Sequence, residues 1–407
     1  ENVIAMGKGS VNFRGGLGDG ITAADGGKNT ISGGQVVVDA QGRGLVAENG
    51  GSNTVVSSGD VAINSSSASG SAYGMAVLSG TATVTAANTI KADGRVDVNA
   101  TGNVASAMYA TGAQAANSIT ATSGDVTVSA AGTGSSYGSG FGYGMNASDS
   151  GSNSIITGSG DIKVSGNSAS AIGYGMFANS SGSNAAATTS GNVTVSGVGT
   201  SGTGIHATTS GTSNAISTES GAVNVSGNAA NGNGYGMSAT IFGSNTISTE
   251  NGSVNVSGIS KTNDGLGMTA VSAGSNTITT GSGDVAVSGN GASIGSGMAA
   301  SSGSNVITTA SGNVTVTGNA APSVGHGMYA NSADSSNAIN TESGDVTATG
   351  NGKSAYGMYG GSSGSNAVST EGGNVTVSGS STGPVGSSFG YGMYAKAGHN
   401  SIATEGG

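Results

Sequence analysis

Cysteine and tryptophan are absent from this 407-residue sequence, proline occurs twice, and charged residues make up 7%. Without cysteine there is no disulfide framework, no thiolate metal site and no thiol chemistry. Leucine is scarce, 4 residues against 36 Val and 20 Ile. That bias toward β-branched side chains suits pleated sheet and disfavours helix. No apolar run approaches the ~18 residues of a membrane-spanning helix. No charged-then-apolar leader opens the chain. Basic residues number 10 against 20 acidic ones and form no cluster, so a nucleic-acid partner is not expected. The 80 glycines are scattered, which argues further against long helices, and they lack the three-residue period of collagen. Few large apolar residues would fit disorder, but disorder also calls for high net charge, and −10 over this length is small. Periodicity therefore decides.

One unit is written many times. Asn followed two residues on by an aliphatic residue or Ala sets the register. It recurs at Asn2, Asn29, Asn53, Asn88, Asn117, Asn153, Asn184, Asn214, Asn245, Asn276, Asn305, Asn337, Asn366 and Asn400. The mean spacing is about 31 residues, in the range of solenoid repeats. Residues 235–258 (YGMSATIFGSNTISTENGSVNVSG) carry its three pieces in order. Each reads as a strand of two to five residues, because Met-x-Ala, Asn-x-Ile-x-Thr and Val-x-Val place like residues on one face. Ser-Gly-Asp, Ser-Gly-Asn and Glu-Gly-Gly between them are turn chemistry.

These features predict an all-β fold. It is a single-chain parallel β-helix (β-solenoid) with one three-strand coil per ~31-residue repeat and like strands of successive coils paired ~4.8 Å apart. Stacking is an energetic necessity. The four sizeable side chains of one coil are worth roughly 6–12 kcal/mol on burial. Ordering its backbone costs more, at ~1–2 kcal/mol per residue. Residues 1–407 read as one continuous solenoid of about 13 repeats and an internal segment of a longer chain, a rod of roughly 60 Å. Irregular spacing places loop insertions near 77–87, 129–144 and 378–392.

Several columns follow from the register. Ten methionines, Met75 through Met393, share one repeat position, which Ile21, Leu45 and Ile205 fill elsewhere. Exchange with aliphatic residues marks an adaptable core column over a copper-binding stripe. The recurring Asn shares strand parity with the buried Ile and reads as an internal amide ladder. Carboxylates at Asp93, Glu219, Glu250, Glu342, Glu371 and Glu405 read as a solvated turn column, not a cation site. Asp at 60, 125, 161, 284 and 345 exchanges with Asn192, Asn313 and Asn374, as a turn former does. Tyr109, Phe177, Tyr329, Tyr359 and Tyr394 follow the core Met and point outward by alternation. Tyr73, Tyr143, Tyr174, Tyr235, Tyr356 and Tyr391 lie two residues before it, where flanking glycines leave their direction open. An exposed aromatic column can stack on sugar rings or dock a partner, or stack on itself to stiffen the sheet.

No catalytic constellation is present. Arg14, Arg43 and Arg95 all lie near the start, and His206, His326 and His399 occupy unlike repeat positions. Neither triad nor metal spacing occurs, and the glycine-rich runs lack the Lys-Ser/Thr ending of a phosphate loop. The expectation is a non-enzyme with no cofactor and no metal.

The unit Gly-Tyr-Gly-Met-x-Ala…Ser-Gly-Ser-Asn-x-Ile-x-Thr…Gly-Asp-Val-x-Val-Ser-Gly resembles the repeats of Gram-negative autotransporter passengers and filamentous-haemagglutinin-like adhesins, over essentially the whole chain. The resemblance implies a right-handed β-helix exported to the bacterial cell surface, with an adhesive or scaffolding role. The family's signal segment and C-terminal barrel are not in this sequence. The expected function is a cell-surface adhesin or haemagglutinin-like rod segment that projects or forms a binding surface. The alternative is a purely structural stalk, sheath or filament subunit. Partners would be a host-cell glycan or protein, or other copies end to end, without membrane insertion by this segment. The contact candidates are Tyr329, Tyr359 and Tyr394, spaced one coil apart, with Phe389 from the long loop Ser378–Gly392 that also carries Pro384.

Overall fold

The computed structural model describes residues 1–16, 18–78, 86–112, 114–135, 140–180, 182–209, 211–383 and 388–406. The chain is an all-β solenoid of about 12 turns with ~31-residue spacing, and no helix occurs among the described residues. It divides into two compact units, Glu1–Thr200 with Gly204–Thr208, and Ser201–Thr203 with Thr209–Gly407.

Each unit is built from three columns of parallel strands. In the first, the Asn strands run from Asn2–Ala5 to Ser183–Ser190, and Asn pairs with Asn at every step. The Val strands run from Ser10–Arg14 to Val193–Gly199. The Met strands start at Ile21–Ala23, where Ile21 pairs with Leu45, Leu45 with Met75 and Met75 with Met108. The second unit repeats this plan. Its Asn strands run from Ser213–Thr218 to Asn400–Thr404. Its Met strands run from Gly234–Ala239 to Phe389–Ala395.

One coil shows why these residues make these strands. In Gly234–Ala239, Ser244–Thr249 and Val254–Ser260, the residues Met237, Ala239, Asn245, Ile247, Val254 and Val256 are all buried. Thr246 and Asn255, between the buried pairs of the second and third strands, are exposed, as strand alternation requires, whereas Ser238 in the first is buried. A narrow core lined by three short faces suits Met, Ile and Val, and each such side chain gains ~1.5–3 kcal/mol on burial.

Strands exceed the two to five residues expected from the pattern. Ser-Gly-Asn after Val-x-Val is strand, not turn: Ser165-Gly166-Asn167 lies within Ile162–Ser168. Two pairs of Val and Met strands run together without a break, as Val314–Ala330 and Val346–Gly360. The cause is register. Gly258 pairs with Gly289 between neighbouring coils, so the ladder continues whatever the local propensity. Ser-Gly-Asp before the Val strand is a turn, and Gly283 there takes φ 134°, a region that favours glycine. Asp at this position bonds along the stack. The Asp284 Oδ1 accepts the Asn313 backbone N–H at 2.8 Å, and the Asn313 Oδ1 accepts that of Asp345 at 3.0 Å. Asp and Asn perform this equally, which explains their exchange.

The expected insertions are described in part. Residues 79–85, 136–139 and 384–387, Pro384 among them, lie outside the described residues. Residues 129–132 continue a Val strand, and 142–144 open a Met strand.

Candidate functional site

The recurring Asn is fully internal. Asn245 is 0% exposed; one of its amide hydrogens goes to Asn276 Oδ1 at 2.7 Å and the other to the Thr269 carbonyl at 2.8 Å. Its own Oδ1 accepts from Asn214 at 2.8 Å. The same bonds tie the ladder to the outer surface: Asn305, Asn337 and Asn366 donate to the carbonyls of Tyr329, Tyr359 and Tyr394, each at 2.8 Å. The buried amides thus hold the backbone of the aromatic residues that face outward.

Those aromatics form a strip in the second unit. Tyr329 and Tyr359 stack with centroids 5.2 Å apart, and Tyr359 and Tyr394 at 5.3 Å. Tyr356 and Tyr391, whose direction the sequence left open, lie on the same side. They stack on each other at 5.5 Å and meet Tyr359 and Tyr394 edge-on or tilted at 5.0 and 5.4 Å. The reason lies in the strand. Gly357 and Met358 are both buried in succession, so alternation slips by one and Tyr356 and Tyr359 emerge together. Glycine is required at this slip: at the equivalent Gly297, an added Cβ would collide with Val316 Cγ1. Phe389 is exposed and stacks beside Tyr391 at 6.5 Å, so it extends the strip. The three chosen tyrosines are therefore half of a double column.

His326 continues this column at the Tyr356 position, stacked on Tyr356 at 5.3 Å and tilted against Tyr329 at 4.6 Å. Burial pushes its imidazole down to about 3, so it is neutral at physiological pH. Its Nδ1 lies 3.4 Å from the Ser296 hydroxyl. Beside it a groove of about 470 Å³ opens over the coil Ile294–Ala300. That coil carries Ser296 and Ala299 at the two positions where its neighbour carries His326 and Tyr329; Ser296 there is buried and Ala299 half-buried. No charged side chain lines the groove among the described residues.

The first unit holds a second aromatic cluster, in which Tyr174 stacks on Tyr143 at 5.5 Å and on His206 at 5.3 Å, with Phe177 against both Tyr174 and His206. Burial pushes His206 down to about 4 and the Tyr174 phenol up to about 12. The His206 Nδ1 has no hydrogen-bond partner among the described residues. Tyr73 and Tyr109 stack at 5.2 Å nearby in the chain.

Sequence reading left the direction of Tyr356 and Tyr391 open, and missed the groove and the place of His326 in the column. The available signal was a pair of outward positions flanking Gly-Met, filled by rings in some coils and by Ser and Ala in one. The methionines from Met75 to Met358 are buried, as a core column requires. Glu219, Glu250, Glu342, Glu371 and Glu405 are exposed. The three histidines stay apart, and no group of three His, Cys, Asp or Glu is placed to hold a metal among the described residues.

Comparison with known protein families, with curated proteins and with solved structures finds no match to this chain. What stands is a β-solenoid repeat protein whose most distinctive outer feature is an aromatic strip.

Proposed function

We propose that this chain is a non-catalytic, adhesive segment of a bacterial cell-surface protein, related to autotransporter passengers or filamentous-haemagglutinin-like adhesins. The observation that carries the reading is the double column of Tyr356, Tyr359, Tyr391 and Tyr394, flanked by exposed Phe389. Contiguous exposed aromatic surface on a sparsely charged protein is where contact with a glycan or protein is favoured. Part of that surface stiffens the sheet by self-stacking, worth about 0.5–1.5 kcal/mol per ring pair. A purely structural stalk or filament subunit would need only that part.

Beads coated with the chain should adhere to host cells or to arrayed glycans above a scrambled-repeat control. Replacing Tyr329, Tyr359 and Tyr394 together by Ser should abolish adhesion. If melting falls while adhesion is unchanged, the strip is structural and the stalk reading replaces this one.

A further inference from the structure

The tyrosine strip pairs its phenols across coils. In strand register Tyr356 meets Tyr391 and Tyr359 meets Tyr394. The rings stack at 5.5 and 5.3 Å, only 12° and 16° from parallel. Tyr391 is 41% exposed and the other three are half-buried, so the strip is open to small oxidants. Composition directs oxidation to such phenols. The chain has no cysteine and no tryptophan, and the methionines from Met75 to Met358 are buried. Exposed Met6 ends as a sulfoxide, which couples to nothing. In the first unit Tyr143 and Tyr174 also stack at 5.5 Å, but burial pushes the Tyr174 phenol up to about 12 and shields that pair.

We propose that the strip is an oxidative cross-linking site, at which a haem peroxidase with hydrogen peroxide bonds Tyr359 to Tyr394 and Tyr356 to Tyr391. Each phenol loses one electron and one proton. The two phenoxyl radicals of a pair join through the ring carbons ortho to their oxygens. The hydrogens on those carbons move to the oxygens as protons, which restores both phenols. The two electrons and two protons released per bond reduce one hydrogen peroxide to two waters. Register favours coupling within the chain, because it holds the second phenol beside the first at an effective concentration far above that of other chains. Half-buried surface rings can turn about their Cβ–Cγ bonds from stacked to edge-joined. Phe389, stacked beside Tyr391, has no phenol and cannot compete. Each bond ties positions 35 residues apart, as a disulfide does in chains that have cysteine. The site needs no ligand and stands whether or not the strip is adhesive.

The test treats the full chain, in dilute solution, with a haem peroxidase and hydrogen peroxide. Biphenol fluorescence should appear while the chain keeps its size, and the intact mass should fall by two hydrogen atoms per bond. Cleavage after glutamate releases Tyr356 with Tyr359 in Ser343–Glu371, and Tyr391 with Tyr394 in Gly372–Glu405. These two peptides should be recovered joined. The oxidised chain should melt about 5 °C higher, as closing a loop of ~35 residues predicts. The double variant Tyr391→Phe, Tyr394→Phe keeps both rings in the stacks. It should lose the joined pair and the melting shift. Should that variant not fold, Tyr356→Phe with Tyr359→Phe serves the same purpose. Cross-links formed only between chains, no joined pair, or a joined pair that persists in the double variant overturns the proposal.

Discussion

Asn245 makes three bonds within a buried ladder, and its loss orphans groups on three sides. In Asn245→Ala, the Asn214 amide, the Asn276 carboxamide oxygen and the Thr269 carbonyl each lose a partner. A buried polar group left unsatisfied costs about 1–3 kcal/mol. The variant should lose about 2–4 kcal/mol, read as a lower denaturation midpoint at unchanged slope. Histidine sets a second expectation. Both His206 and His326 are held below the ordinary 6.5, near 4 and near 3, by burial. Below pH 6.5 the unfolded chain binds protons that these folded sites refuse, so stability present at neutral pH declines as pH falls through each window. Their ring neighbours are Tyr174 and Phe177 for His206, and Tyr329, Tyr356 and Tyr359 for His326. Each imidazole should withdraw roughly 2 kcal/mol by pH 4.5. The double variant His206→Phe, His326→Tyr should flatten stability against pH between 6.5 and 4, measured by urea titration at each pH.

At the scale of the element, the Met-to-Asn connections hold residues in the left-handed region. Asp25, Asn49, Asp149 and Asp334 adopt it readily, but Ile241 at φ 50° and Phe242 at φ 60° do so at a cost. Ile241 is also 45% exposed, so little packing offsets that cost. Ile241→Asn should stabilise the protein by about 1 kcal/mol, seen as a raised melting temperature. An unchanged or lowered value would mean that the exposed Ile241–Phe242 tip contributes packing the turn needs. Strand existence and order were legible because Met-x-Ala, Asn-x-Ile-x-Thr and Val-x-Val alternate. Strand ends were not. Ser-Gly-Asn has the composition of a turn, yet after Val-x-Val it is strand, because neighbouring coils on both sides continue the ladder. Nor was the direction of Tyr356 and Tyr391 legible, since a slip at Gly-Met leaves no trace in alternation.

For the molecule as a whole, stability follows how many neighbours a coil has. Inner Asn strands, with a coil on either side, bury every second residue. Local opening free energy should be highest in such strands. Native-state hydrogen exchange should find amides of Ser244–Thr249 and Ala116–Ser123 among the last to exchange, and that of Ile241, exposed in a connecting turn, among the first. Uniform protection along the chain would contradict nearest-neighbour stacking as the source of stability.

Period and residue type alone determined that the chain is all-β, coiled about every 31 residues, with Met, Ile, Val and Asn inside. A repeat that cannot bury its own face has no other stable solution than stacking on its copies. The Asn ladder followed from the same parity, since a buried amide is satisfied by identical amides above and below. The tertiary structure decided what depends on coils meeting. It joined two sets of tyrosines into one strip, and drew His326 and His206 into buried ring stacks that keep them neutral. Each of these arises from side chains about 30 residues apart in sequence and one coil rise apart in space, a proximity that strand register creates and local pattern does not encode.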